Sequence, residues 1–575
     1  MKSMFKNSWL LILTILSLVM SIFGGTPTPV YAAGTVTVTK TADTDDGVCD
    51  SDCSLREAIA SASAGDTIIF DAALSGGTIY LTSTLGISMD LTIDGSALAS
   101  RITLSGDSDN NGTGDVRVFS TTSPDFFGRT LTLESLIVAK GYESEGGGLL
   151  VGEDMTVNVI NSVFSGNSAS ANGGALSNYG TVTITDSTFS SNSSAGGAGG
   201  GGAILNSQVL TINGSTFSGN TAGGSGSGGA VFNTSPTATI TNSTFYGNSA
   251  DFSGGAIITT NALTITNSTI SGNSAYPGTG GGISIQGNIT NLSNTIIANS
   301  TSGGDCLNFG TIGTNTNNLI EDGSCSPTLS GDPHLGPLQD NGGPTQTMAF
   351  GAGSPAVNAG DNANCPATDQ RGQSRPQGSR CDIGAYEVQI FSESFTSTGA
   401  LDGQLMESSE TSNRAGLKNS TSSIFKLGDD IVNRQYRGIL SFDTTILPDT
   451  ASVTNITLNL KRAGVVGGGN PVNLFKGFMV DIKNGDFGTA ALALGDFKTV
   501  GDKTLGPFKP AFVGGGYSLD LSAANLQINA LGDTQLRLRF KLDDNNNQVA
   551  NYLKLYSGNA DPANQPQLVI EYYLP

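Results

Sequence analysis

A phrase of ten residues that recurs between residues 142 and 300 constrains the fold of this chain more than any other feature. Its copies are NVINSVFSGN, TITDSTFSSN, TINGSTFSGN, TITNSTFYGN and TITNSTISGN, at residues 158–167, 183–192, 211–220, 239–248 and 264–273. Gly-Gly followed by an apolar residue alternates with the phrase, at residues 147–149, 173–175, 201–203, 228–230, 254–256 and 281–283. A period of 25 to 28 residues predicts a stack of equivalent structural units.

Apolar residues within each copy stand two apart, as Val157 and Val159 do. This spacing is the period of a β-strand with one buried face. A single copy is too short to bury that face, but strands stacked coil upon coil at about 4.8 Å collect equivalent side chains into columns. The sequence therefore predicts a right-handed parallel β-helix, with a column of large apolar side chains at Phe164, Phe189, Phe217, Phe245 and Ile270.

Asparagine and glycine mark the predicted corners of the coils. One corner column consists of Asn161, Asp186, Asn242, Asn267 and Asn294, and another of Asn167, Asn192, Asn220, Asn248 and Asn273. Both residue types tolerate left-handed backbone, and stacked asparagine side chains can bond along a column. No 3.6-residue periodicity accompanies these columns, so a helical or leucine-rich repeat fits poorly.

Composition places the chain among folded β-proteins and narrows its partners. Of the 575 residues, 37% are hydrophobic, 13% are charged and 79 are glycine, which is typical of a turn-rich globular protein. The net charge of −21 argues against binding to nucleic acid or to an anionic membrane surface. The length allows two or three domains, and the oligomeric state stays open.

Residues 1–32 have the character of a secretory signal peptide. Lys2 and Lys6 precede an apolar run that begins at Trp9, and small residues suited to cleavage end the segment at Ala32. An uncleaved membrane anchor is the alternative, although the run is short for a membrane span. No later stretch is apolar enough to cross a bilayer. We therefore expect a secreted, extracellular or cell-surface protein with no membrane span in its mature chain.

Export permits disulfides, and the six cysteines form three sets of near neighbours. Of the fifteen connectivities that six cysteines allow, we predict Cys49–Cys53, Cys306–Cys325 and Cys365–Cys381. A zinc site is the alternative. It is a poor fit, because His334 is the only histidine and no CxxC spacing occurs.

Residues 34–65 should form a strand and then a helix that closes the N-terminal end of the coils. Ser54 and Glu57 form a capping box at the start of that helix. An amphipathic helix would cover the open end of the β-helix, which is predicted for residues 66–330. The motif CSLREA at residues 53–58 resembles the start of the CSLREA-domain proteins. The resemblance implies a secreted bacterial β-helix protein.

Residues 331–389 are rich in proline and glycine, and we expect them to cap the C-terminal end of the coils, pinned by Cys365–Cys381. They resemble the segment that follows the coils in choice-of-anchor Q proteins, which implies surface-anchored relatives. The resemblance is carried by residues 331–333, 338–345, 354–356, 369–372, 375–376 and 382–387.

The repeat ends near Gln389, and residues 390–575 regain charge. Alternating strands between Pro, Gly and Asp turns predict an antiparallel β-sandwich; the clearest lie at 437–442, 452–460, 535–542, 552–556 and 567–572. This domain resembles DNRLRE-type domains and family 96 carbohydrate-binding modules, at residues 436–443, 447–448 and 453–460. The suspected partner is a polysaccharide or cell-surface glycan. Since Trp9 is the only tryptophan, ring stacking would fall to Tyr517, Tyr552 or Tyr556.

Parallel β-helices also host pectate lyases and polygalacturonases, so catalysis has to be judged from the residues themselves. No Lys or Arg occurs between Gly141 and Gln370, so an anionic polysaccharide would meet a wall without positive charge. Hydrolysis needs paired carboxylates, and the acids that lie close together in sequence are Glu143, Glu145, Glu153 and Asp154. We expect a solvated acidic edge there rather than a catalytic site, and we expect His334 to be a surface residue.

Calcium is the cofactor that the sequence favours most. The candidate ligands are Asp107, Asp109, Asn111 and Asp115. Their spacing imitates the start of a calcium-binding loop, although Val118 stands where a bidentate glutamate would complete it. Further oxygen-rich runs lie at residues 43–47 and 543–547, and such runs are also ordinary turns.

Two functions follow from these features. The first is an exported scaffold or adhesion protein, in which the β-helix presents a glycan-binding sandwich domain. The alternative is a polysaccharide-degrading enzyme of the pectate-lyase or glycoside-hydrolase type, with the sandwich as an accessory module. The absence of Lys and Arg between Gly141 and Gln370 favours the first function.

Overall fold

The computed structural model describes residues 34–124, 128–195 and 199–575. The predicted signal peptide, residues 1–32, lies outside the described residues. A parallel β-helix extends to Ile320, and antiparallel sheets form the C-terminal part of the chain, so the predicted fold class is confirmed. In the described ranges, no helix is both long and apolar enough to span a membrane.

Four parallel sheets form the walls of the β-helix, each built from one strand per coil. Sheet A contains Thr35–Val38, Asp66–Phe70, Leu91–Asp94, Arg129–Glu134, Met155–Ile160, Thr181–Thr185, Val209–Asn213, Ala238–Thr241, Leu263–Thr266, Ile289–Ser293 and Thr311–Thr316. Sheet B contains Thr78–Tyr80, Thr103–Ser105, Ile137–Ala139, Val163–Ser165, Thr188–Ser190, Thr216–Ser218, Thr244–Tyr246, Thr269–Ser271, Ile296–Ala298 and Leu319–Ile320.

Sheet C faces sheets A and B across the core, and sheet D is a narrow fourth wall. Sheet C contains Leu85–Ile87, Phe119–Thr121, Leu149–Val151, Leu176–Asn178, Ile204–Asn206, Val231–Asn233, Ile257–Thr259, Ile283–Ile285 and Cys306–Asn308. Sheet D contains Tyr142–Glu145, Ser168–Asn172, Ser193–Ser194, Thr221–Ala222 and Ser249–Ala250.

Strand pairing joins each repeat to its own equivalent, because the period sets the register. Phe189 pairs with Phe217 and Phe217 with Phe245. Their rings stack with centroids 4.9 and 4.7 Å apart and with interplanar angles of 10° and 6°. These phenylalanines are fully buried. Consecutive coils are therefore related by a translation of nearly 5 Å with little rotation.

The two asparagine columns have different tasks. Asn161, Asn242, Asn267 and Asn294 adopt positive φ angles, as a left-handed corner requires. Residues of the second column are fully buried and form a ladder: Asn192 Nδ2 donates to Asn220 Oδ1 over 2.9 Å, and Asn220 Nδ2 donates to Asn248 Oδ1 over 2.9 Å. There the residue before the asparagine takes the positive φ, as Gly219 does.

Helix α1 (Leu55–Ser61) packs on the first coil and confirms the predicted capping box. The Ser54 hydroxyl accepts from the Glu57 amide, and the Glu57 carboxylate accepts from the Ser54 amide over 2.6 Å. The coils that precede the clear repeats contain the strands Phe119–Thr121, Arg129–Glu134 and Ile137–Ala139. Ser135 adopts a positive φ at the corner between the last two.

Residues 331–389, here the cover segment, lie along the side of the coils, which corrects the predicted terminal cap. The Thr345 hydroxyl donates to the Gly214 carbonyl over 2.8 Å, and the Ala385 amide donates to the Thr269 hydroxyl over 3.0 Å. The segment thus spans several coils and covers part of the outward side of sheet B, where Thr216, Thr244, Thr269 and Ile296 are buried. It contains an antiparallel hairpin of Leu335–Gln339 and Thr347–Phe350 and a 3₁₀ turn at Asn362–Asn364.

The C-terminal domain has two antiparallel sheets. Sheet E contains Phe391–Thr396, Gln567–Tyr573, Ser452–Val466 and Gly516–Asp520. Sheet F contains Asn551–Tyr556, Ile424–Asp429, Gln435–Asp443, Asp533–Phe540, Phe478–Asn484 and Lys503–Phe508, with Gly403–Glu407 and Ala415–Asn419 beside them. Helix α2 (Pro471–Leu474) and short 3₁₀ turns complete the domain, at Leu494–Phe497, Ser522–Gln527 and Pro562–Asn564; a further 3₁₀ turn, Ala72–Leu74, belongs to the β-helix.

One long strand joins the two sheets of the C-terminal domain. The first part of Ser452–Val466 pairs within sheet E, and its end pairs with Asn551–Tyr556 of sheet F. Leu458 from sheet E and Leu538 from sheet F share one buried apolar cluster, so the sheets pack face to face. Tyr573 contacts the cover segment, where its hydroxyl donates to the Gly351 carbonyl over 2.7 Å.

Disulfides pin the ends of the β-helix and the cover segment. The structure joins the same three pairs that the sequence predicts, Cys49–Cys53, Cys306–Cys325 and Cys365–Cys381. The first precedes helix α1, the second ties the last coil to the chain beyond it, and the third closes a loop of the cover segment.

Candidate functional site

The acidic edge begins on sheet D. Glu143 is exposed and Glu145 is half-buried. The Glu145 carboxylate accepts from the Tyr179 hydroxyl over 2.7 Å and from Asn172 Nδ2 over 3.1 Å. Burial, and then the hydrogen bond to Glu145, raise the pKa of Tyr179 to about 12. Tyr179 therefore stays protonated and donates to the carboxylate at neutral pH.

Tyr179 also connects Glu145 with the other two predicted acids. Glu153 and Asp154 lie in the turn before Met155–Ile160, where both are exposed. Tyr179 lines a shallow cleft together with Glu153 and Asp154. Tyr179 thus bonds to Glu145 and lines a cleft with Glu153 and Asp154, an arrangement that the sequence alone does not show.

A cation lies beside this edge, against the expectation of a wall without positive charge. Arg117, from the preceding coil, donates through Nη2 to the Glu145 carbonyl over 2.7 Å and through Nε to the Gly146 carbonyl over 3.1 Å. Burial lowers the pKa of Arg117, and the charges of Glu143 and Glu145 partly oppose that effect. The expectation fails here because Arg117 lies upstream of the stretch that lacks Lys and Arg.

The predicted calcium ligands form a compact loop, here the acidic loop (residues 107–115). Asp107, Asp109 and Asp115 each bring a carboxylate oxygen within 4.8 Å of the others. Asp107 is fully buried, and its carboxylate accepts from the backbone amides of Asn111 and Gly112 over 2.9 Å.

Lys140 binds the Asp107 carboxylate, which a calcium ion would also need. Its ammonium lies 3.1 Å from Asp107 Oδ2. Burial raises the pKa of Asp107, but the hydrogen bonds from Lys140 and from two backbone amides outweigh burial and hold that pKa below its ordinary value. Calcium would have to share or displace this ammonium, so the donor set fits the ion best at Asp109 and Asp115. Calcium binding at this loop stays a prediction.

The remaining candidates make contacts with neighbouring residues. In the run at 43–47, Asp43 is bound by Arg56, whose Nη2 lies 2.7 Å from its carboxylate. The His334 ring contacts the Ala352 carbonyl at 2.9 Å through Nδ1, and it is about half exposed. The run at 543–547 touches buried Asp429, which accepts from the Asn545 amide over 3.0 Å.

The outer face of sheet F carries a group of aromatic and basic side chains, here the tyrosine–lysine strip: Lys426, Tyr436, Tyr552, Lys554 and Tyr556. Lys426 lies between two rings, with its ammonium 4.8 Å from the centroid of Tyr552 and 5.0 Å from that of Tyr436. Lys426 and Lys554 are directly paired on adjacent strands. Their apolar neighbours along each strand, such as Leu427 and Leu553, are buried in the core.

Two of the three tyrosines proposed for ring stacking lie on this strip, and the third is buried. Tyr552 and Tyr556 are partly exposed. Tyr517 is buried in the core, where its ring packs edge-on against Phe478. Lys426 and Lys554 were missed by the sequence reading. The alternation Tyr-Leu-Lys-Leu-Tyr at 552–556 was the available signal, because period-2 alternation places both tyrosines and the lysine on one face.

Buried arginines occupy another part of sheet F. Arg537 donates through Nε and Nη2 to Asp481 Oδ2 over 3.0 and 2.8 Å, and Arg539 donates to the same oxygen over 3.2 Å. The Arg437 guanidinium lies 3.9 Å from the Phe497 ring centroid. Burial, followed by the charges of the neighbouring arginines, lowers the pKa of Arg437 to about 10. Asp481 is thus paired with both Arg537 and Arg539, while Arg437 bonds to Gln435 and to the Phe497 carbonyl.

Comparison with known proteins supports the fold but names no function. Residues 109–274 match the family described as the right-handed beta helix region. This match covers the acidic loop from Asp109 onward, the acidic edge and the clearest repeats, and it confirms the predicted handedness. No curated protein matches the chain.

Proposed function

We propose that this chain is an exported scaffold of the cell surface or extracellular space, whose C-terminal domain binds a glycan. The tyrosine–lysine strip carries the proposal. Sugar rings stack on aromatic side chains, and ammonium groups attract carboxylate or sulfate groups. A strip that combines Tyr552 and Tyr556 with Lys426 and Lys554 suits a polysaccharide with acidic units.

The rest of the molecule supports a scaffold role. The β-helix is a rigid shaft of stacked coils, and its stretch from Gly141 to Ile320 contains acids but no Lys or Arg. Such a shaft would repel an anionic glycan, while the strip would attract it. Three disulfides fit an extracellular protein, because such bonds persist in oxidising compartments.

Binding of the full mature chain to an array of acidic and neutral glycans tests the proposal. We expect retention of at least one acidic polysaccharide, with about tenfold weaker binding, or more, in Lys426→Met and Tyr552→Ala. Lys503→Met is the matched control, because Lys503 is an exposed lysine on another strand of sheet F. Equal binding by all variants would show that the glycan binds outside the tyrosine–lysine strip. No retention on any glycan would refute the proposal.

A polysaccharide-degrading enzyme is the second candidate, favoured by one observation. Tyr179, Arg117 and the acids around Glu145 supply a hydroxyl, a cation and carboxylates at one edge. Incubation with pectin, alginate and neutral glycans tests this candidate. New reducing ends or unsaturated products that disappear in Glu145→Gln would establish cleavage, whereas intact polymer would leave the edge a structural feature.

A further inference from the structure

Outward-facing threonines of sheet A form a regular two-dimensional array, here the threonine lattice. Strand pairing places one rank in register: Thr183, Thr211, Thr239 and Thr264. A second rank stands two residues further along the same strands: Thr185, Asn213, Thr241 and Thr266. The residues between the ranks, such as Ile212 and Ile240, are fully buried, so alternation points both ranks away from the core.

The lattice has two well-defined repeats. Stacked phenylalanines of the same coils lie 4.9 and 4.7 Å apart and are nearly parallel, so each rank repeats at that distance with little twist. Along a strand, two residues span about 6.6 Å. Rigid coils hold these positions before any ligand arrives, so binding would cost little ordering entropy.

The lattice hydroxyls are free to meet a ligand. In the portion of the chain that the structure describes, none of these threonine hydroxyls makes a hydrogen bond. Threonines of sheet B differ: the Thr216 hydroxyl donates to the Gln346 carbonyl over 2.6 Å, and the Thr244 hydroxyl donates to Gln370 over 2.6 Å. The cover segment occupies sheet B, whereas it leaves the lattice on sheet A open: Thr239 is exposed and its neighbours Thr211 and Thr264 are half-exposed.

The side chains of the threonine lattice restrict the kinds of ligand that it can bind. The outward positions of the strands from Thr181 to Thr266 carry no charged and no aromatic side chain. A neutral face has nothing to attract an ionic polymer, and sugar polymers are usually held by aromatic rings. Each threonine offers one methyl and one hydroxyl, which suits a neutral ligand made of hydroxyl groups that repeats in two dimensions.

We propose that the threonine lattice binds ice. Water oxygens that are bonded tetrahedrally over about 2.75 Å repeat at about 4.5 Å along the prism face of hexagonal ice, which is close to the repeat of 4.7 to 4.9 Å within each rank. Water is the neutral hydroxyl ligand that can fill such an array. Ordered water at each hydroxyl is nearly as favourable as a direct hydrogen bond. Many weak contacts then act together, because one rigid face presents them all. This function does not depend on the glycan-binding strip.

Ice-affinity partition of the full mature chain tests the inference. A cold finger grows ice slowly from a dilute solution, and the protein fraction in the ice is measured against an inert globular protein. We expect the native chain to concentrate in the ice and to shape ice crystals. We expect Thr183→Lys and Thr211→Lys to lower the incorporated excess by about tenfold, since a strongly hydrated ammonium breaks the face.

Two further variants distinguish a loss of ice binding from a loss of folding. Ser190→Lys adds the same charge on sheet B of the coil that contains Thr183, and it should partition as the native chain does. Thr211→Val keeps the shape and the methyl groups, and it should retain more than half of the excess. Circular dichroism confirms the β-helix in each variant.

Three results would overturn the inference. The native chain could be excluded from ice as the inert protein is. All variants could partition alike, which would assign any incorporation to another surface. The native chain could instead bind crystalline cellulose or chitin while staying out of ice, which would make the lattice a neutral-glycan site.

Discussion

The β-helix and the C-terminal domain solve the same problem, a buried polar group, in opposite ways. In the β-helix, neutral amides bond to copies of themselves, as Asn192, Asn220 and Asn248 do. In the C-terminal domain, one buried acid, Asp481, serves two arginines. A repeat lets one satisfied pair be used many times, whereas a non-repeating core needs a separate partner for each group.

The difference has an energetic basis. A neutral hydrogen bond contributes about 1 kcal/mol net, and losing it leaves a modest penalty. A buried ion needs its partner far more, because an unpaired charge in the interior costs several kcal/mol. We therefore expect the β-helix to tolerate polar substitutions better than the C-terminal domain, and to depend most on its stacked rings.

The largest expected effect is the loss of one ring from the stack. Phe217→Ala removes a fully buried ring that stacks on Phe189 and Phe245. We expect the free energy of unfolding to fall by about 4 kcal/mol, from lost transfer energy and the cavity left behind. Urea unfolding followed by far-UV circular dichroism measures the change.

The control for this variant lies on the same strand. Ser218→Ala changes an outward side chain, and its effect should stay within about 0.5 kcal/mol. A loss below about 1 kcal/mol for Phe217→Ala would show that neighbouring coils collapse into the cavity. The coils would then be softer than the stacking implies.

The second effect, in the C-terminal domain, is smaller. Asp481→Ala leaves Arg537 buried without its carboxylate, and we expect a loss of about 3 kcal/mol. Asp502→Ala is the matched control, because Asp502 pairs with Lys483 over 2.7 Å near the surface. Such exposed pairs contribute at most about 1 kcal/mol. If the two variants lose the same free energy of unfolding, the buried and the exposed ion pair contribute equally to stability.

Lowering the pH should reproduce part of the loss of stability that we expect for Asp481→Ala. Burial raises the pKa of Asp481, but the Thr504 hydroxyl and the two arginines lower it more, so its folded pKa lies below the ordinary value. A depressed folded pKa stabilises the fold above the unfolded pKa, and this stability is lost as pH falls towards the folded pKa. Urea unfolding at neutral pH and near pH 3 should therefore differ less in Asp481→Asn than in the native chain.

These contrasts explain how far the sequence predicts the structure. The phrase with Phe217 and Asn220 predicts register, stacking and ladder together, because each residue meets its own equivalent one period away. A third buried ladder, Asn178 to Asn206 over 2.7 Å and Asn206 to Asn233 over 2.8 Å, was missed. Its asparagines also recur every 27 or 28 residues, but they lie outside the ten-residue phrase.

Contacts that do not follow the repeat could not be predicted from the sequence. The cover segment meets sheet B through pairs such as Thr345 with Gly214, which are 131 residues apart and follow no pattern. Arg117 reaches the acidic edge from another coil for the same reason. The candidate acids were therefore predicted as residues, while their arrangement around Tyr179 and Arg117 required the structure.

The third effect tests the asparagine ladder. Asn220→Ala removes a side chain that donates to Asn248 Oδ1 and to the Phe189 carbonyl, both over 2.9 Å. We expect a loss of about 2 kcal/mol, because several buried partners each lose one hydrogen bond. Asn288→Ala is the control, since its bond to Asn261 is exposed. If the two variants lose equal stability in urea, the ladder adds nothing beyond a surface contact.

The smallest expected effect concerns the acidic loop, where a buried acid of the β-helix pairs with a lysine and not with an equivalent residue of the next coil. Because Lys140 already neutralises Asp107, calcium at about 10 mM should raise the unfolding free energy of the native chain by less than about 0.5 kcal/mol. In Lys140→Met the carboxylate is released, and a site with a dissociation constant of about 1 mM would gain about 1.4 kcal/mol.

Thermal unfolding with calcium, with magnesium and with a chelator separates the outcomes. Lys483→Met removes a lysine from an exposed pair in the C-terminal domain and should show no calcium dependence. A calcium effect in Lys140→Met that magnesium does not reproduce would mean that lysine and calcium are alternative counterions for Asp107. Strong stabilisation of the native chain would mean instead that Asp109 and Asp115 hold calcium alongside the lysine. If neither chain responds, the ion pair with Lys140 is the contact that holds the loop. Asp107 then resembles Asp481 of the C-terminal domain, because a buried acid requires a fixed cation.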